Sequence, residues 1–467
     1  MIDNKFRAQL EGFTTTTWVV PVGVFILAGV VRLVNLSYVD NLVSHAFVED
    51  SQVYWEAARY WLESGYFSRL SDAGYIHETE RVPGYILFLI PFRALWEDAL
   101  FPVLFAQALI DAASCAIICK LGTLLSFRVG VVAGLLAAVW YNLFLHSSLI
   151  LTETIFLFLM CLILLFSAHF VLWCRLRDAA LVGLICGAAI MTRSLVMFLP
   201  LAVALTAPLI THYRVRSWRK GGVAGALVIC CAALPAAPIV YRNISQFDTL
   251  QLTSQNGTFF LNWVVGVCKS LESGRGFDAE SAVLNQKLDE QIDKAFGPGA
   301  HLNNFQVSSQ STLLAREEIS AMPVSTLVNC WLYGSINSLA SPAVAIDPRI
   351  RQHNTKSFYE SSGTNIFERA VNFLRGNAPV YVSVLLLGLI FGAISLALQV
   401  AGWALLLRAH VWVAVFGMLY IFYFLIVSGP VGSAKYRIPI EPVLIIFQSF
   451  ALTEMIRLYL RRAANKY

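Results

Sequence analysis

Two adjacent carboxylates, Glu49 and Asp50, begin a polar, aromatic-rich stretch that reads FVEDSQVYWEAARYWLESGYF over residues 47–67. The pattern predicts an amphipathic helix in the membrane interface. One face of this helix carries four apolar or aromatic side chains: Val53, Ala57, Tyr60 and Trp61. A carboxylate that such a helix holds at the membrane surface can accept a proton from an acceptor hydroxyl. Alternatively, Asp50 simply caps the helix by accepting a hydrogen bond from a backbone N–H.

Two further acids and a histidine lie in or beside apolar runs. Glu153, in the segment Leu-Thr-Glu-Thr-Ile, either interacts with the dipole of the helix that it begins or belongs to the same site. His146 lies shortly before it, and a lone histidine of this kind is more often structural. Asp111 stands inside another apolar run, where an acid suggests a function. A structural pair between Asp111 and Lys120 or another helix is an equal alternative.

Three basic residues occupy unusual positions. Arg193 lies between two apolar half-helices, and a buried cation must face a partner or a water-filled cavity. Lys435 and Arg437 are expected outside, directly before the last helix, where the positive-inside rule disfavours basic residues. Phosphate is the natural partner of Lys and Arg, so these residues indicate a phosphate site. The alternative is contact with an ordinary phospholipid headgroup.

The composition places these residues in a membrane protein. Of the 467 residues, 57% are hydrophobic and 13% are charged, and the mean hydropathy is +0.65. Soluble domains carry about 25% charged residues. Apolar runs of about 20 residues cross a bilayer as helices, because only a helix satisfies its own backbone hydrogen bonds there. The long apolar runs are Trp18–Val34, Leu149–Trp173, Gly221–Val240, Tyr381–Leu407, Val411–Val427 and Ile438–Met455. The chain is therefore expected to be an all-α polytopic membrane protein.

Charge and cysteine content exclude other classes. The net charge is +5, and the basic residues cluster at helix ends, so they indicate orientation and no nucleic-acid partner. The nine cysteines form no CxxC pair and no metal-ligand spacing. Only Cys268 and Cys330 lie in a hydrophilic context, and they could pair if that region is exported.

The basic residues also predict the topology. With Lys5 and Arg7 inside, the first apolar run is an uncleaved signal anchor, and residues 35–82 form the first outside loop. The short apolar segment 83–96 need not cross the membrane and returns to the same side. Two shorter helices that meet near Arg193 place the basic loops before and after them on the cytoplasmic side.

We expect three regions along the chain. Residues 1–241 form an N-terminal transmembrane module, and residues 242–378 form an extracytoplasmic region with an interfacial helix at 323–341. Residues 379–467 form three C-terminal transmembrane helices.

The acidic pair, the Pro-Gly-Tyr at 83–85 and the Thr-Glu-Thr at 152–154 together resemble the GT-C glycosyltransferases. The resemblance is closest to the bacterial relatives of protein O-mannosyltransferases and of the lipid A aminoarabinose transferase. Further stretches are similar to segments of that superfamily, in the same order: Gly183–Pro200, Pro238–Asn243, Leu252–Asn256, Arg316–Pro323 and Lys435–Pro442. Three positions depart from the usual pattern without removing a charge: Lys435 in place of Arg, Ser194 in place of Pro, and Val82 in place of the first of two prolines.

The resemblance implies a GT-C fold with extracytoplasmic loops that carry juxtamembrane helices. It also implies an inverting transfer, with Asp50, alone or together with Glu49, as the base and Glu153 as a residue that orients acceptor or sugar. Four residues are expected to bind the donor phosphate: Arg437, Lys435, Arg193 and Arg242. Six more are expected to contact substrate: Tyr54, Arg81, Tyr85, His146, Asn256 and Tyr436. Because fixed cations can offset phosphate charge, no cofactor or divalent metal is required.

The expected activity is transfer of a hexosyl or pentosyl unit from a polyprenyl-phosphate-linked sugar to a lipid, glycan or protein acceptor. The expected location is a bacterial inner membrane, with the site on the periplasmic or extracytoplasmic side among membrane lipids. Two other classes remain open. A polytopic transporter predicts a midplane site around Asp111. A lipid-linked glycan polymerase or ligase uses a similar carrier but passes oligosaccharides.

Overall fold

The computed structural model describes residues 18–72, 74–352, 358 and 360–464, so Lys5 and Arg7 of the predicted topology lie outside the described residues. The first half of the chain forms these elements: α1 Val19–Ser37, α2 Leu42–Ala46, α3 Ser51–Ser64, β1 Ser68–Ser71, β2 Gly74–His77, α4 Gly84–Trp96, α5 Phe101–Gly122, α6 Phe127–Ala138, α7 Tyr141–Ser147, α8 Glu153–Trp173, α9 Leu176–Thr192, α10 Leu199–Val215 and α11 Trp218–Phe247. Within the described part of this half, helices dominate, and the two strands pair as one antiparallel hairpin.

The second half is also helical. Its elements are α12 Gln255–Thr258, a π-helical segment Phe259–Val265, α13 Gly266–Ser273, α14 Phe277–Phe296, α15 Asn304–Ala321, α16 Val324–Ala340, α17 Pro348–Arg351, α18 Ile366–Arg375, α19 Pro379–Ala409, α20 Val411–Ser428, α21 Ala434–Arg437 and α22 Glu441–Ala464. Short 3-10 turns precede α10, α17 and α22.

Eight helices among the described residues are long and apolar enough to cross a membrane. They are α1, α5, α8, α10, α11, α19, α20 and α22, the last continuous with α21. The helices α6 and α7 meet at an angle of 50° and count as a ninth span if they are taken together. The prediction of an all-α polytopic membrane protein is therefore confirmed.

Close packing between α9 and α11 depends on glycine. A Cβ atom at Gly183 would lie 2.5 Å from the carbonyl oxygen of Val228, and one at Gly187 would lie 2.5 Å from that of Ala232. Small residues allow this approach, which in a membrane brings dispersion contacts between backbones. The pair of glycines thus holds the helix that ends just before Arg193 firmly against its neighbour.

The helical structure is interrupted at Arg193, as the charge pattern predicts. Helix α9 ends at Thr192, Arg193 is extended, and α10 begins at Leu199 after a 3-10 turn. At the other end of α10, Arg214 donates a hydrogen bond to the carbonyl oxygen of Leu172 at 2.7 Å. The basic residues near the end of α10 therefore lie at the membrane face opposite to Arg193.

The short helix α4 stays at the face where Asp50 lies. Its thirteen residues span about 20 Å at 1.5 Å per residue. Its Arg93 guanidinium lies 4.5 Å from the ring centroid of Trp55 in α3. The prediction for the face of α3 was wrong in part, because the buried residues are Ser51, Trp55, Ala57 and Ala58, and Val53 is exposed.

Asp111 forms a buried ion pair with Arg32 in another helix, which is one of the two structural pairs that the sequence left open. Arg32 Nε lies 2.7 Å from Asp111 Oδ2, and the two side chains are 0% and 1% exposed. The Arg32 guanidinium also donates to the carbonyl oxygens of Ala28 and Ala137. A buried charge pair that is hydrogen-bonded in this way joins α1 to α5.

The hydrophilic stretch 242–322, within the predicted extracytoplasmic region, is mostly helical. Helices α13, α14 and α15 enclose a small apolar core that continues into α16. A helix, α16, is present where the sequence predicts one at 323–341, and its interfacial location stays a prediction. Its Asn337 donates a hydrogen bond of 2.5 Å to the carbonyl oxygen of Gly432, which connects this region to the segment that carries Lys435.

Candidate active site

Asp50 stands at the N-terminal end of α3, but its carboxylate does not cap that helix. Oδ1 accepts a hydrogen bond from Arg81 Nη2 at 2.9 Å, and the Asp50 side chain is 45% exposed. The capping alternative from the sequence is therefore wrong. The carboxylate is oriented by a cation and remains open to solvent, which is the arrangement that a proton acceptor needs.

Arg81 is itself held by a buried acid that sequence analysis missed. Glu78 accepts the backbone N–H groups of Glu80 at 2.6 Å and of Arg81 at 3.1 Å. Burial raises the pKa of Glu78, although these two hydrogen bonds oppose the effect. The Arg81 Nε atom is buried and has no hydrogen-bond partner among the described residues. The sequence contained one indication of this contact, because Glu78 lies only three residues before Arg81.

Glu49 lies in a strained backbone conformation and pairs with two cations. Its φ is +48°, in the left-handed region that non-glycine residues rarely adopt. Its carboxylate lies 2.5 Å from Lys435 Nζ and 3.8 Å from Arg351 Nη1. Such strain persists only where the surrounding structure enforces it. The contact joins the first polar loop to the segment before the last helix.

Glu153 is buried at the start of α8 and forms an ion pair with Arg193. Thr152 Oγ1 donates to the other carboxylate oxygen at 3.3 Å. The Arg193 guanidinium lies over the rings of Phe156 and Tyr436, at 5.7 and 5.8 Å from their centroids. The cation predicted between two half-helices therefore has a carboxylate partner and an aromatic enclosure.

Tyr54 and Tyr85 lie next to these ion pairs, and Tyr436 lies against Arg193. Tyr54 packs edge-on against Tyr85, with ring centroids 5.4 Å apart, and Tyr85 donates to Gln107 at 2.6 Å. Burial raises the pKa of Tyr54 to about 12, and charges from both the Asp50–Arg81 and the Glu153–Arg193 pairs act on its hydroxyl. Tyr54 therefore stays protonated at neutral pH.

His146 is buried beside the same charges. Its Nδ1 atom lies 2.7 Å from the carbonyl oxygen of Asn142, and a carbonyl only accepts, so Nδ1 carries the proton. The Nε2 lone pair has no hydrogen-bond partner among the described residues. The charges of Glu153, Glu49 and Lys435 all act on the ring. The structure thus brings His146 into the predicted site.

Arg437 is occupied by backbone carbonyl groups. Nη1 donates to the carbonyl oxygens of Leu339 at 2.8 Å and Ser341 at 3.1 Å, at the end of α16. Nε lies 2.7 Å from Glu441, which is fully buried and also accepts from Trp140 at 2.8 Å. These contacts position the segment that carries Lys435. The phosphate-binding role of Arg437 stays a prediction.

Arg242 and Asn256 have other partners in the structure. Arg242 donates to Asn243 at 2.7 Å, and its guanidinium lies 5.6 Å from the Phe67 ring centroid. Asn256 belongs to α12, whose Gly257 N–H donates to Ser308. Among the described residues, no hydrogen bond or ion pair joins Arg242 or Asn256 to the three site carboxylates. Their predicted roles in substrate binding remain untested.

Arg351 is a second residue that sequence analysis missed. Arg351 is the last residue of α17 and lies near the Glu49 carboxylate. Asp347 precedes this helix and accepts hydrogen bonds from Arg349 and Tyr141, which fix the position of the helix. Burial acts to raise the pKa of Asp347, but these hydrogen bonds hold it below its usual value. Arg349 also donates to Asn35 at 3.1 Å. No motif in the sequence indicates that residue 351 approaches residue 49.

Comparisons with known proteins agree with this architecture. Residues 81–241 match the family described as dolichyl-phosphate-mannose-protein mannosyltransferase. That segment includes Arg81, Tyr85, Glu153 and Arg193. No curated protein matches the chain.

Two archaeal solved structures have a similar fold, and a third solved structure aligns with a lower score. An oligosaccharyltransferase from Archaeoglobus fulgidus, tethered with an acceptor peptide, matches with a TM-score of 0.53 and 11% identity over 96% of this chain and 51% of that one. AglB from the same organism, in complex with an inhibitory peptide and a dolichol-phosphate, matches with 0.52 and 12% over the same shares. ArnT from Cupriavidus metallidurans, bound to undecaprenyl phosphate, matches with 0.38 and 15% over 94% of this chain and 77% of that one.

The chain spans about half the length of the two archaeal proteins. It is a multi-pass membrane protein with the GT-C fold, and the resemblance to the GT-C superfamily is confirmed.

Proposed function

We propose that this protein is an inverting glycosyltransferase. It moves a hexosyl or pentosyl unit from a polyprenyl-phosphate carrier to an acceptor hydroxyl on the extracytoplasmic face of the membrane. One observation carries the proposal: an exposed carboxylate, Asp50, is oriented by Arg81 beside two enclosed cations, Lys435 and Arg193. The match of residues 81–241 to a mannosyltransferase family supports the same class of reaction.

The residues divide into a base and a phosphate site. Asp50 accepts the proton of the acceptor hydroxyl while the acceptor oxygen forms a bond to the anomeric carbon of the sugar. The bond between that carbon and the phosphate oxygen breaks on the opposite face, and its electron pair stays with the departing polyprenyl phosphate. Lys435 and Arg193 stabilise the charge that develops on that phosphate.

The formal charges of the cluster suit an anionic donor. In the ion pairs of the cluster, four cations, namely Arg81, Arg193, Arg351 and Lys435, face three carboxylates, namely Glu49, Asp50 and Glu153, so cations are in excess by one. A phosphodiester donor carries one negative charge. The phosphate monoester that leaves carries about −1.5 to −2 at pH 7. The cluster therefore gains electrostatic interaction as the reaction proceeds, which is the requirement for catalysis.

The distribution of basic residues supports an extracytoplasmic site. Glu153 begins α8, and the end of that helix accepts a hydrogen bond from Arg214 in the basic last turn of α10. The positive-inside rule assigns such a segment to the cytoplasm. Glu153, at the other end of α8, then faces the outside of a plasma membrane, such as the bacterial inner membrane.

The transporter alternative loses its main support. Asp111, around which a midplane site was expected, is fully enclosed in an ion pair with Arg32. A lipid-linked glycan polymerase or ligase remains the second candidate, because the solved structures of similar fold include oligosaccharyltransferases. The two readings differ in the donor: a monosaccharide on one phosphate or an oligosaccharide on its carrier.

A donor panel tests the proposal. The purified protein in detergent is incubated with polyprenyl-phosphate monosaccharides and with lipid-linked oligosaccharides, and released carrier is quantified. We expect polyprenyl phosphate from at least one monosaccharide donor. Release from oligosaccharide donors alone would favour the ligase, and neither turnover nor binding of any carrier would contradict the glycosyltransferase assignment.

A further inference from the structure

Two cysteines face each other outside the membrane-spanning helices. Cys268 lies in α13 and Cys330 lies in α16, and their side chains are in hydrogen-bond contact. Each is about 1% exposed, within the apolar core that α13, α14 and α15 share with α16. Two thiols in direct contact inside a core are placed for a covalent bond.

The other seven cysteines have a different environment. They lie within or directly after helices that are long and apolar or that pack among such helices: Cys115, Cys119, Cys161, Cys174, Cys186, Cys230 and Cys231. Cys268 and Cys330 are therefore the two cysteines that belong to the polar region between α11 and α19. That region lies at the end of α11 opposite to the basic residues near its start.

We propose that Cys268 and Cys330 form a disulfide bond in the mature protein. The inference rests on the proposed function in one respect, namely the extracytoplasmic orientation, because disulfides persist in oxidising compartments. The oxidant is a protein or small-molecule disulfide. One thiolate attacks a sulfur of that disulfide to give a mixed disulfide, and the second thiolate then displaces the carrier. Two thiols lose two protons and two electrons, and the oxidant leaves as two thiols.

The bond would connect the extracytoplasmic helices to the active site. The carbonyl groups at the end of α16 accept hydrogen bonds from Arg437, which lies two residues after Lys435. A covalent link between α13 and α16 therefore restrains the segment that carries the phosphate-binding lysine. It also closes a loop of about 60 residues, a length at which a cross-link strongly restricts the unfolded chain.

The redox state can be measured directly. Cells that produce the full chain are quenched with acid and alkylated with N-ethylmaleimide in denaturant, and the protein is purified without reductant and digested. We expect a linked peptide that contains Cys268 and Cys330, with a mass two hydrogen atoms below the sum of the free peptides. Reduction should release it, and the other cysteines should be alkylated from the start.

Variants distinguish a bond from simple packing. Cys268→Ser and Cys330→Ser should each lower the Tm in detergent by a few degrees, and the double variant should lower it by no more than one single variant. Reductant should lower the Tm of the wild type but not that of the variants. Cys186→Ser, which changes a buried cysteine in α9, serves as the matched control and should keep the response of the wild type to reductant.

Two results overturn the proposal. One is alkylation of both Cys268 and Cys330 in protein taken from cells, and the other is a Tm that reductant does not change. Carrier release is measured on the same preparation. Alkylated thiols in protein that transfers sugar refute the disulfide alone. A linked peptide in protein without transfer supports the disulfide and counts against the proposed function.

Discussion

Removal of the charge on Glu49 should tighten donor binding. In the structure, the Glu49 carboxylate forms an ion pair with Lys435 Nζ, and we assign this ammonium group to the donor phosphate. Carboxylate and phosphate therefore compete for the same ammonium group. Glu49→Gln removes the competitor and keeps the size of the side chain, so KM for the donor should fall while kcat is retained.

The exposure of the pair gives the size of the effect. The side chains of Glu49 and Lys435 are 29% and 19% exposed, so solvent screens their attraction. Ion pairs of this kind contribute about 0.2–1 kcal/mol. At 25 °C that energy corresponds to a fall in KM of about 1.4- to 5-fold. The effect should shrink at high salt, because screening weakens the pair further.

Steady-state kinetics with the active donor measure both parameters. Glu56→Gln is the matched control, because Glu56 is also on the first polar loop but pairs with Arg59, away from Lys435. It should leave KM and kcat unchanged. A fall in kcat of more than about 100-fold in Glu49→Gln would make Glu49 the base. A rise in KM would show that Glu49 binds substrate, and either result refutes the competition.

Three further predictions concern cations. Lys435→Met should lower kcat/KM by about 10- to 150-fold, because a hydrogen bond to a charged group contributes about 1.5–3 kcal/mol. Lys435→Arg keeps the positive charge and should keep most of the activity. An equal loss of kcat/KM in the two variants would exclude a role for the charge. Arg437→Ala should lower the Tm in detergent, because it leaves the buried Glu441 with one partner fewer. An unchanged Tm with a raised donor KM would instead show a phosphate contact. Asp111→Leu should destabilise the protein by about 3–5 kcal/mol, and adding Arg32→Met should restore most of that stability and leave carrier release intact. Loss of release in a folded double variant would favour a midplane site.

Local patterns predicted most of the fold. The apolar runs identified the membrane helices, and the basic residues required a break at Arg193, because one helix would have left a basic loop on the wrong side. The partners of buried charges could not be predicted in this way. Asp111 pairs with Arg32 in another helix, far away in the sequence, in place of the nearby Lys120. Such a choice depends on helix packing, which a single sequence does not encode locally.

The same limit applies to the candidate site. Residue types and positions identified Glu49, Asp50, Glu153, Arg193 and Lys435 as candidates, and in the structure Glu49 pairs with Lys435 and Glu153 pairs with Arg193. Which acid pairs with which cation depends on tertiary contacts across hundreds of residues. Helix-capping preference offered an alternative for Asp50 that the structure does not show, because the carboxylate interacts with Arg81 from a separate segment.

The central claim is that Asp50 is the base of a transfer from a polyprenyl-phosphate donor. The direct test compares release of polyprenyl phosphate by the wild type and by Asp50→Asn, with gel-filtration profile and Tm as evidence that both are folded. We predict that the variant binds donor with an affinity close to that of the wild type and loses release by at least about 100-fold. Release at the wild-type rate by folded Asp50→Asn would contradict the claim and move the base to Glu49 or Glu153.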